Sequence, residues 1–165
     1  MKSVNALAAN RLLWTFFVLT LLISLVFPLL ADLWRLSLLD TISDPAKVRE
    51  AIAIMSEEQR LAHSWITATL DVVYPIVYGI FFIGCAYAFY GRFGRFLAIP
   101  LVVLVAADFA EGLVQVFALN DWLDWVDAKA YLTPLKFALF LFGISMAVVG
   151  FLARIRLSRI NQRKA

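Results

Sequence analysis

Four ionisable residues of this sequence lie inside long apolar stretches, where they could bind a ligand, carry protons or hold helices together. Asp71, Asp108, Glu111 and Lys136 fall within three different apolar segments. A charged side chain near the centre of a bilayer costs roughly 2.5–3.5 kcal/mol, so four uncompensated ones would cost about 10 kcal/mol. We therefore expect the four side chains to face the inside of a helix bundle and to compensate one another.

Helical spacing adds further polar residues to this cluster, because residues at i, i+3, i+4 and i+7 share one face of a helix. The predicted ligand pocket or charge cluster comprises Asp71, Tyr74, Tyr78, Asp108, Glu111, Gln115, Thr133 and Lys136. Three carboxylates would then face one ammonium, so we expect at least one carboxylate to hold a proton near neutral pH. Asp32 ends the first apolar segment near Arg35, and we expect it to pair with Arg35 or to join the rim of a cavity.

Three uses of the cluster remain open: salt bridges that hold the bundle together, a polar pocket for a ligand, and a path for protons or ions. A path needs polar groups through the whole thickness of the membrane. The other halves of the three segments contain only Cys85, Tyr87 and Ser145 as polar groups. This distribution disfavours a path and leaves the first two uses.

The sequence predicts no metal site, no cofactor site and no soluble-enzyme motif. His63 and Cys85 are the only histidine and the only cysteine, which excludes zinc centres built from several such residues within one chain. There is no GxSxG, P-loop, HExxH or CxxC motif. His63 itself lies beside Trp65, and we expect it to be solvated at the membrane interface.

The composition indicates that these residues belong to a membrane protein. Of the 165 residues, 63% are hydrophobic and 16% are charged, and the mean hydropathy is +0.85, too apolar for a soluble domain. Four apolar segments, at about residues 12–33, 64–89, 96–119 and 128–151, are each long enough to cross roughly 30 Å of hydrocarbon as a helix. We predict an all-α integral membrane four-helix bundle that forms a single domain over residues 1–165.

The charges outside these segments predict the orientation of the bundle. Basic residues without acidic ones occupy the N-terminus, the second loop and the tail, at Lys2, Arg11, Arg92, Arg95, Arg154, Arg156, Arg159, Arg163 and Lys164. The first and third loops carry most of the acidic residues. By the positive-inside rule, both termini lie in the cytoplasm of a multi-pass inner (plasma) membrane protein. The charge cluster would then lie in the outer half of the bilayer, and the basic tail would touch anionic lipid, with no role in nucleic-acid binding.

The first outer loop has the pattern of a short amphipathic helix. Asp44 followed by Pro45 is typical of a helix start, and apolar residues then recur at helical spacing at Val48, Ala51, Ile52 and Met55. We expect this helix to lie on the outer membrane face or to cap the bundle, with a lid over a cavity as the alternative. Ser56 and Gln59 predict a capping box that leads into the second membrane helix.

Two resemblances bear on function. The strings LDVVYPIVYGIFF (70–82), ADFAEGLVQV (107–116) and YLTPLKFALF (131–140) resemble a group of bacterial four-helix membrane proteins, which implies no particular activity. More distantly, the layout is similar to the EXPERA (sigma-2 receptor) group, with Asp32 and Asp71 at positions comparable to its two acids. That resemblance implies a sterol-like or amphiphilic amine ligand in a membrane-embedded pocket.

The leading prediction is a bacterial inner-membrane protein whose outer-half pocket binds a small lipid-like ligand or holds a partner subunit. The first alternative is a structural or accessory subunit of a membrane complex. The second is a membrane-embedded isomerase in which Asp71 or Glu111 shuttles protons.

Overall fold

The computed structural model describes the backbone of residues 2–162 and the side chains of residues 11–156. The predicted basic side chains at Lys2, Arg159, Arg163 and Lys164 lie outside these ranges. All regular secondary structure in the described part is helical. The helices are α1 (Lys2–Trp34), α2 (Pro45–Ala53), α3 (Glu57–Tyr90), α4 (Gly94–Leu119) and α5 (Lys129–Gln162).

Four of these helices are long and correspond to the four predicted apolar segments, so the predicted helix count is confirmed. Three continuous stretches, Arg11–Trp34, Glu57–Leu119 and Val126–Arg156, are long and apolar enough to cross a membrane. The middle stretch contains both α3 and α4, which are joined by a 3₁₀ turn at Gly91–Phe93. Gly91 has a φ of +55° in this turn, a conformation that glycine adopts at little cost.

Most of the long helices extend beyond the predicted apolar segments. At the start of α3 the predicted capping box is confirmed. Ser56 Oγ accepts a hydrogen bond from Gln59 N at 3.2 Å, and Gln59 Oε1 accepts one from Ser56 N at 3.0 Å. The helix therefore begins about two turns before the apolar residues do.

α3 lies at the centre of the bundle and packs against each of the other long helices. Phe81 stacks against Phe17 of α1 with ring centroids 5.4 Å apart. α5 approaches α3 closely at Gly143, where an added Cβ would lie 2.9 Å from the ring of Phe82. α4 runs antiparallel to α3, and Leu101 and Leu104 complete the buried apolar core with Phe82. This core holds the polar residues of three helices in fixed register.

α2 is the predicted amphipathic helix of the first loop. Asp44 caps it by accepting a hydrogen bond from Ala46 N at 2.9 Å, with Pro45 in the first turn. Its buried residues Val48 and Ile52 pack with Leu39, which precedes α2, and with Leu119 and Val126 at the connection between α4 and α5. α2 thus caps one end of the bundle, which we call the α2 end.

We call the opposite end the basic end, because Arg11, Arg92, Arg95, Arg154 and Arg156 lie there. Between the two ends the bundle exposes apolar side chains all round, with Leu25, Leu29 and Leu33 of α1 each more than 60% exposed. Apolar surface of this extent is incompatible with water and is typical of helices covered by lipid. The length and composition of the helices therefore indicate a membrane protein.

Candidate functional site

Glu111 of α4 is the centre of a closed ion network near the α2 end. The side chains of Glu111 and Lys129 are both 0% exposed, and Lys129 Nζ donates a hydrogen bond to Glu111 Oε1. Thr133 Oγ1 donates to the same oxygen at 2.5 Å, and Lys136 Nζ lies 2.6 Å from Oε2. Lys129, Thr133 and Lys136 are spaced i, i+4 and i+7, so one face of α5 supplies all three donors. Glu111 Oε1 thus accepts two hydrogen bonds, whereas Oε2 has the ammonium of Lys136 beside it as an ion pair without the geometry of a hydrogen bond.

Lys136 connects this closed network to a second group of carboxylates. Its Nζ lies 3.0 Å from Asp108 Oδ1 and 3.5 Å from Asp40 Oδ1. The other oxygen of Asp108 accepts a hydrogen bond from the Tyr78 hydroxyl at 2.7 Å. Lys136 therefore faces Glu111 on one side and two aspartates on the other.

Asp40 reaches the cluster from outside the long helices, from the 3₁₀ turn Leu39–Thr41. The turn is fixed by Leu39, which is fully buried under α2. Gln115 Nε2 donates a hydrogen bond to Asp40 Oδ1 at 2.6 Å. Burial alone would raise the pKa of Asp40, but the ammonium groups of Lys136 and Lys129 and the hydrogen bond from Gln115 lower that pKa below its usual value. Asp40 is therefore an anion at neutral pH.

A partly open cavity of about 190 Å³ lies beside Lys136, at the side away from Glu111. Its apolar walls are formed by Phe27, Leu38, Phe137 and Phe140. Its polar side is formed by Asp40, Asp71, Tyr74, Tyr78, Asp108 and Lys136, together with Thr41. We call this space the Asp71 cavity after one of its lining residues. Asp71 Oδ2 is buried and, like Glu111 Oε2 and Gln115 Oε1, makes no hydrogen bond of acceptable geometry with the described residues. The cavity is the open half of the charge cluster.

Two tyrosines of α3 order the wall between Asp71 and the apolar core. Tyr74 and Tyr78 lie edge to face, with ring centroids 5.0 Å apart. The hydroxyl of Tyr74 lies 2.8 Å from Ser24 Oγ of α1, and that of Tyr78 is held by Asp108. Each tyrosine thus ties α3 to a different neighbouring helix while it lines the cavity.

The structure brings eight of the nine predicted site residues to one level near the α2 end. Five of them line the Asp71 cavity: Asp71, Tyr74, Tyr78, Asp108 and Lys136. Glu111, Gln115 and Thr133 are buried behind Lys136 and line no part of it. Asp32 is the exception, since it is exposed and lies in a separate shallow depression beside Pro28 and Arg35. The ion pair expected between Asp32 and Arg35 is absent from the described residues.

Sequence reasoning missed three contributors to the site. The spacing of Lys129 could have predicted its role, because it lies four residues before Thr133 and seven before Lys136 and therefore shares their helix face. Its position at the very start of the last apolar segment concealed that role. Asp40 and Ser24 have no comparable signal, since the first lies in a turn and the second is an isolated serine in an apolar helix.

The solvated position expected for His63 is wrong. His63 is 4% exposed, with Nδ1 3.3 Å from Thr67 Oγ1 and Nε2 3.1 Å from the backbone oxygen of Ser37. The chain after α1 folds back over the start of α3 and covers the ring. His63 therefore fastens the loop that carries Asp40.

The charge balance of the site limits what it can bind. The network and the cavity together contain four carboxylates (Asp40, Asp71, Asp108 and Glu111) and two ammonium groups (Lys129 and Lys136). Surplus negative charge in a low-dielectric site favours a cation, a bound proton or a hydrogen-bond donor over an anion. Among the described residues, no three His, Cys, Asp or Glu side chains are grouped so that they could hold a metal ion.

No protein-family model, no curated protein and no solved structure matches this chain. The geometry of the site is therefore the basis on which a function can be proposed.

Proposed function

We propose that this chain is a multi-pass protein of the bacterial inner membrane that binds a small lipid-like ligand in the Asp71 cavity. The observation that carries the proposal is Asp71, which lines the cavity and has no ion pair among the described residues, and whose Oδ2 is buried without a hydrogen bond from them. A buried polar atom left without a partner costs about 1–3 kcal/mol. A ligand whose polar end donates a hydrogen bond to the Asp71 carboxylate would recover that free energy once rotation of the side chain turns Oδ2 towards the cavity.

The charges at the two ends support an orientation with both termini in the cytoplasm. The basic end carries the arginines of the first and last helices and of the α3–α4 turn, whereas the acidic residues concentrate at the α2 end. Under the positive-inside rule the basic end faces the cytoplasm. The Asp71 cavity then lies in the outer half of the bilayer, open towards lipid beside α1 and α5.

The size and chemistry of the cavity support a class of ligand. A volume of about 190 Å³ is below the roughly 300–1,000 Å³ of sites that enclose a whole small molecule. The cavity therefore holds the polar end of an amphiphile, and the rest of the ligand lies along the apolar surface of the bundle. The surplus of carboxylates favours an ammonium or a hydroxyl at that end, which includes the sterol-like and amine ligands expected from the sequence.

Binding is better supported than isomerase chemistry. A proton shuttle needs a second acid or base that is free to exchange protons beside the substrate. Asp40 and Asp108 line the cavity with Asp71, but both are paired with Lys136, and Glu111 is enclosed by Lys129, Thr133 and Lys136. The same enclosure gives Glu111 a structural role, so the cluster holds the helices together and leaves Asp71 as the cavity carboxylate without an ion pair among the described residues.

Three amphiphiles with the same alkyl chain test the proposal: dodecylamine, dodecanol and dodecanoate. We expect the amine and the alcohol to raise the thermal unfolding temperature of the purified protein in detergent, and the carboxylate to leave it unchanged. Asp71→Asn should abolish the amine effect. Asp32→Asn is the matched control, because it makes the same change at an exposed aspartate outside the cavity, and it should retain the full effect.

Two results would contradict binding at Asp71: equal stabilisation by all three amphiphiles, or equal loss of the amine effect in both variants. If the protein instead leaves mild detergent only as a stable complex with another membrane protein and does not respond to the amphiphiles, an accessory subunit is the better description.

A further inference from the structure

A second cavity lies at the other end of the bundle and plays no part in the proposed function. It has a volume of about 310 Å³ and is bounded by α1, α3 and α5. Leu13 and Phe17 of α1, Phe81 and Phe89 of α3, and Val148 and Phe151 of α5 form its walls. We call it the basic-end cavity, because its one charged lining residue is Arg154.

The walls of the basic-end cavity suit a hydrocarbon chain rather than a polar group. Apart from Arg154, the side chains that line it are aliphatic or aromatic, with Cys85 as the single thiol. A polar head placed between them would lose its hydrogen bonds to water without replacement, at a cost of a few kcal/mol. An alkyl chain loses nothing of this kind and gains contact with the rings.

The mouth of the cavity opens on the lipid-facing side of the bundle, beside two large aromatic residues. Trp14 and Phe151 lie edge to face across the gap between α1 and α5, with ring centroids 6.3 Å apart, and both are exposed at the bundle surface. A chain that enters here comes from the bilayer and does not need to cross the core.

Positive charge at the same end indicates the head group attached to that chain. Arg154 lines the cavity, and Arg11 lies one helical turn before Trp14 on α1. The sequence has no acidic residue from Ala128 to the C-terminus or before Asp32. A guanidinium group binds phosphate through paired hydrogen bonds, and anionic lipids attract basic segments at the membrane surface.

We propose that the basic-end cavity holds an acyl chain of an anionic phospholipid, whose phosphate contacts Arg154. The site is separate from the Asp71 cavity in position and in chemistry, since one lies among carboxylates at the α2 end and the other beside arginines at the opposite end. It depends on membrane insertion but not on ligand binding at Asp71, so either proposal can fail alone.

Quenching of Trp14 fluorescence by brominated lipid tests this site. Phenylalanine in place of Trp34, Trp65, Trp122 and Trp125, all exposed, leaves Trp14 as the one fluorescent tryptophan. The protein is reconstituted in vesicles that contain brominated phosphatidylglycerol or brominated phosphatidylcholine. We expect the anionic lipid to bind beside Trp14 about fivefold more strongly, the effect of one well-placed arginine at a membrane surface.

Matched variants assign that preference to the cavity. Arg154→Gln should abolish the preference for the anionic lipid, so that the two lipids bind about equally. Arg154→Lys should retain most of the preference, and Arg156→Gln should leave it unchanged. Val148→Phe should lower quenching by both lipids because the added ring occupies the cavity. Val149→Phe should not, because Val149 is about as exposed as Val148 but lies outside the lining.

Equal quenching by the two lipids in the single-tryptophan protein would overturn the proposal. An equal loss of preference in Arg154→Gln and Arg156→Gln would also overturn the proposal. The preference would then come from the summed positive charge of the basic end and not from a contact with residue 154. Circular dichroism of each variant identifies any that has lost its helices, and the Arg154→Lys comparison then decides whether the charge at residue 154 carries the preference.

Discussion

Removing the charge of Glu111 should destabilise this bundle more than removing the charge of Lys129, although the two residues are partners. Glu111→Gln leaves Lys129 fully buried without an anionic partner within hydrogen-bond distance in the described part. Lys129→Met leaves Glu111 with Thr133 at 2.5 Å and Lys136 at 2.6 Å. The asymmetry arises because Glu111 has three donors and Lys129 has one acceptor.

The expected magnitudes follow from these partners. A buried charge that loses its only counter-ion costs about 3–5 kcal/mol, which is the loss expected for Glu111→Gln. Loss of one charge-assisted hydrogen bond, while the others remain, costs about 1.5–3 kcal/mol, which is the loss expected for Lys129→Met. The double variant removes both charges, so its cost should fall short of the sum by on the order of 2 kcal/mol.

Reversible unfolding in mixed micelles, titrated with a denaturing detergent and followed by circular dichroism, measures these differences. Arg49→Gln serves as the control, since Arg49 pairs with Asp124 at 2.8 Å and Asp127 at 3.1 Å on the exposed surface of the α2 end. An exposed ion pair contributes little, so this variant should lose less than about 1 kcal/mol. If Lys129→Met costs more than Glu111→Gln, or if the two costs simply add, the structural role assigned to Glu111 is wrong.

Three further predictions use the same unfolding assay. Tyr78→Phe leaves Asp108 Oδ2 without its 2.7 Å hydrogen bond and should cost about 1–3 kcal/mol; a neutral result would contradict the contact. Gly94→Ala should destabilise the α3–α4 turn by about 1–3 kcal/mol, because a Cβ would lie 2.5 Å from the backbone oxygen of Ala86. Gly112→Ala, where a Cβ meets Thr67 at 3.6 Å, should be tolerated. The pKa of Asp40 is lowered in the folded protein, so the ionised carboxylate of Asp40 adds to the free energy of unfolding. This contribution should be complete above a pH of about 4 and should be lost as the pH falls through the pKa of Asp40 in the folded protein. Asp40→Asn should remove that part of the pH dependence, and an unchanged profile would contradict it.

The convergence of the polar stripes could be predicted because helices have a fixed period. Asp71, Tyr74 and Tyr78 share a face of α3, and Asp108 and Glu111 share one of α4, so burial in a bundle brings them together whatever the loops do. The free-energy cost of an isolated charge in hydrocarbon leads to the same expectation, because charged side chains must then meet inside the bundle. These two arguments predicted the level of the charge cluster and most of the residues that the structure brings into it.

The division of the cluster into a closed and an open half could not be predicted from the sequence. The expectation of three carboxylates around one ammonium becomes four around two, because Asp40 enters from a turn and Lys129 from the first turn of α5. The path of the turn depends on the burial of Leu39 under α2 and of His63 under the same loop. Contacts of this kind join residues far apart in sequence, and no periodic pattern records them.

Loop geometry also decided between the alternatives left open for the first loop. α2 caps the bundle and lines no part of the Asp71 cavity, whereas Leu38, Asp40 and Thr41 do line it. A covering segment is therefore present, but it is the turn before α2 rather than the amphipathic helix. Hydrophobic periodicity indicated where a helix forms and could not indicate which neighbouring residues would face the cavity.

Native mass spectrometry of the protein extracted gently from its own membrane tests the binding role of the Asp71 cavity most directly. The wild-type protein and Asp32→Asn are predicted to carry a small-molecule adduct that is absent from Asp71→Asn. After the adduct is removed, Asp71→Asn should unfold at a temperature no lower than that of Asp32→Asn. A wild-type protein without any adduct, or an adduct retained equally by all three proteins, would contradict a ligand at Asp71 and leave the cluster with a purely structural role.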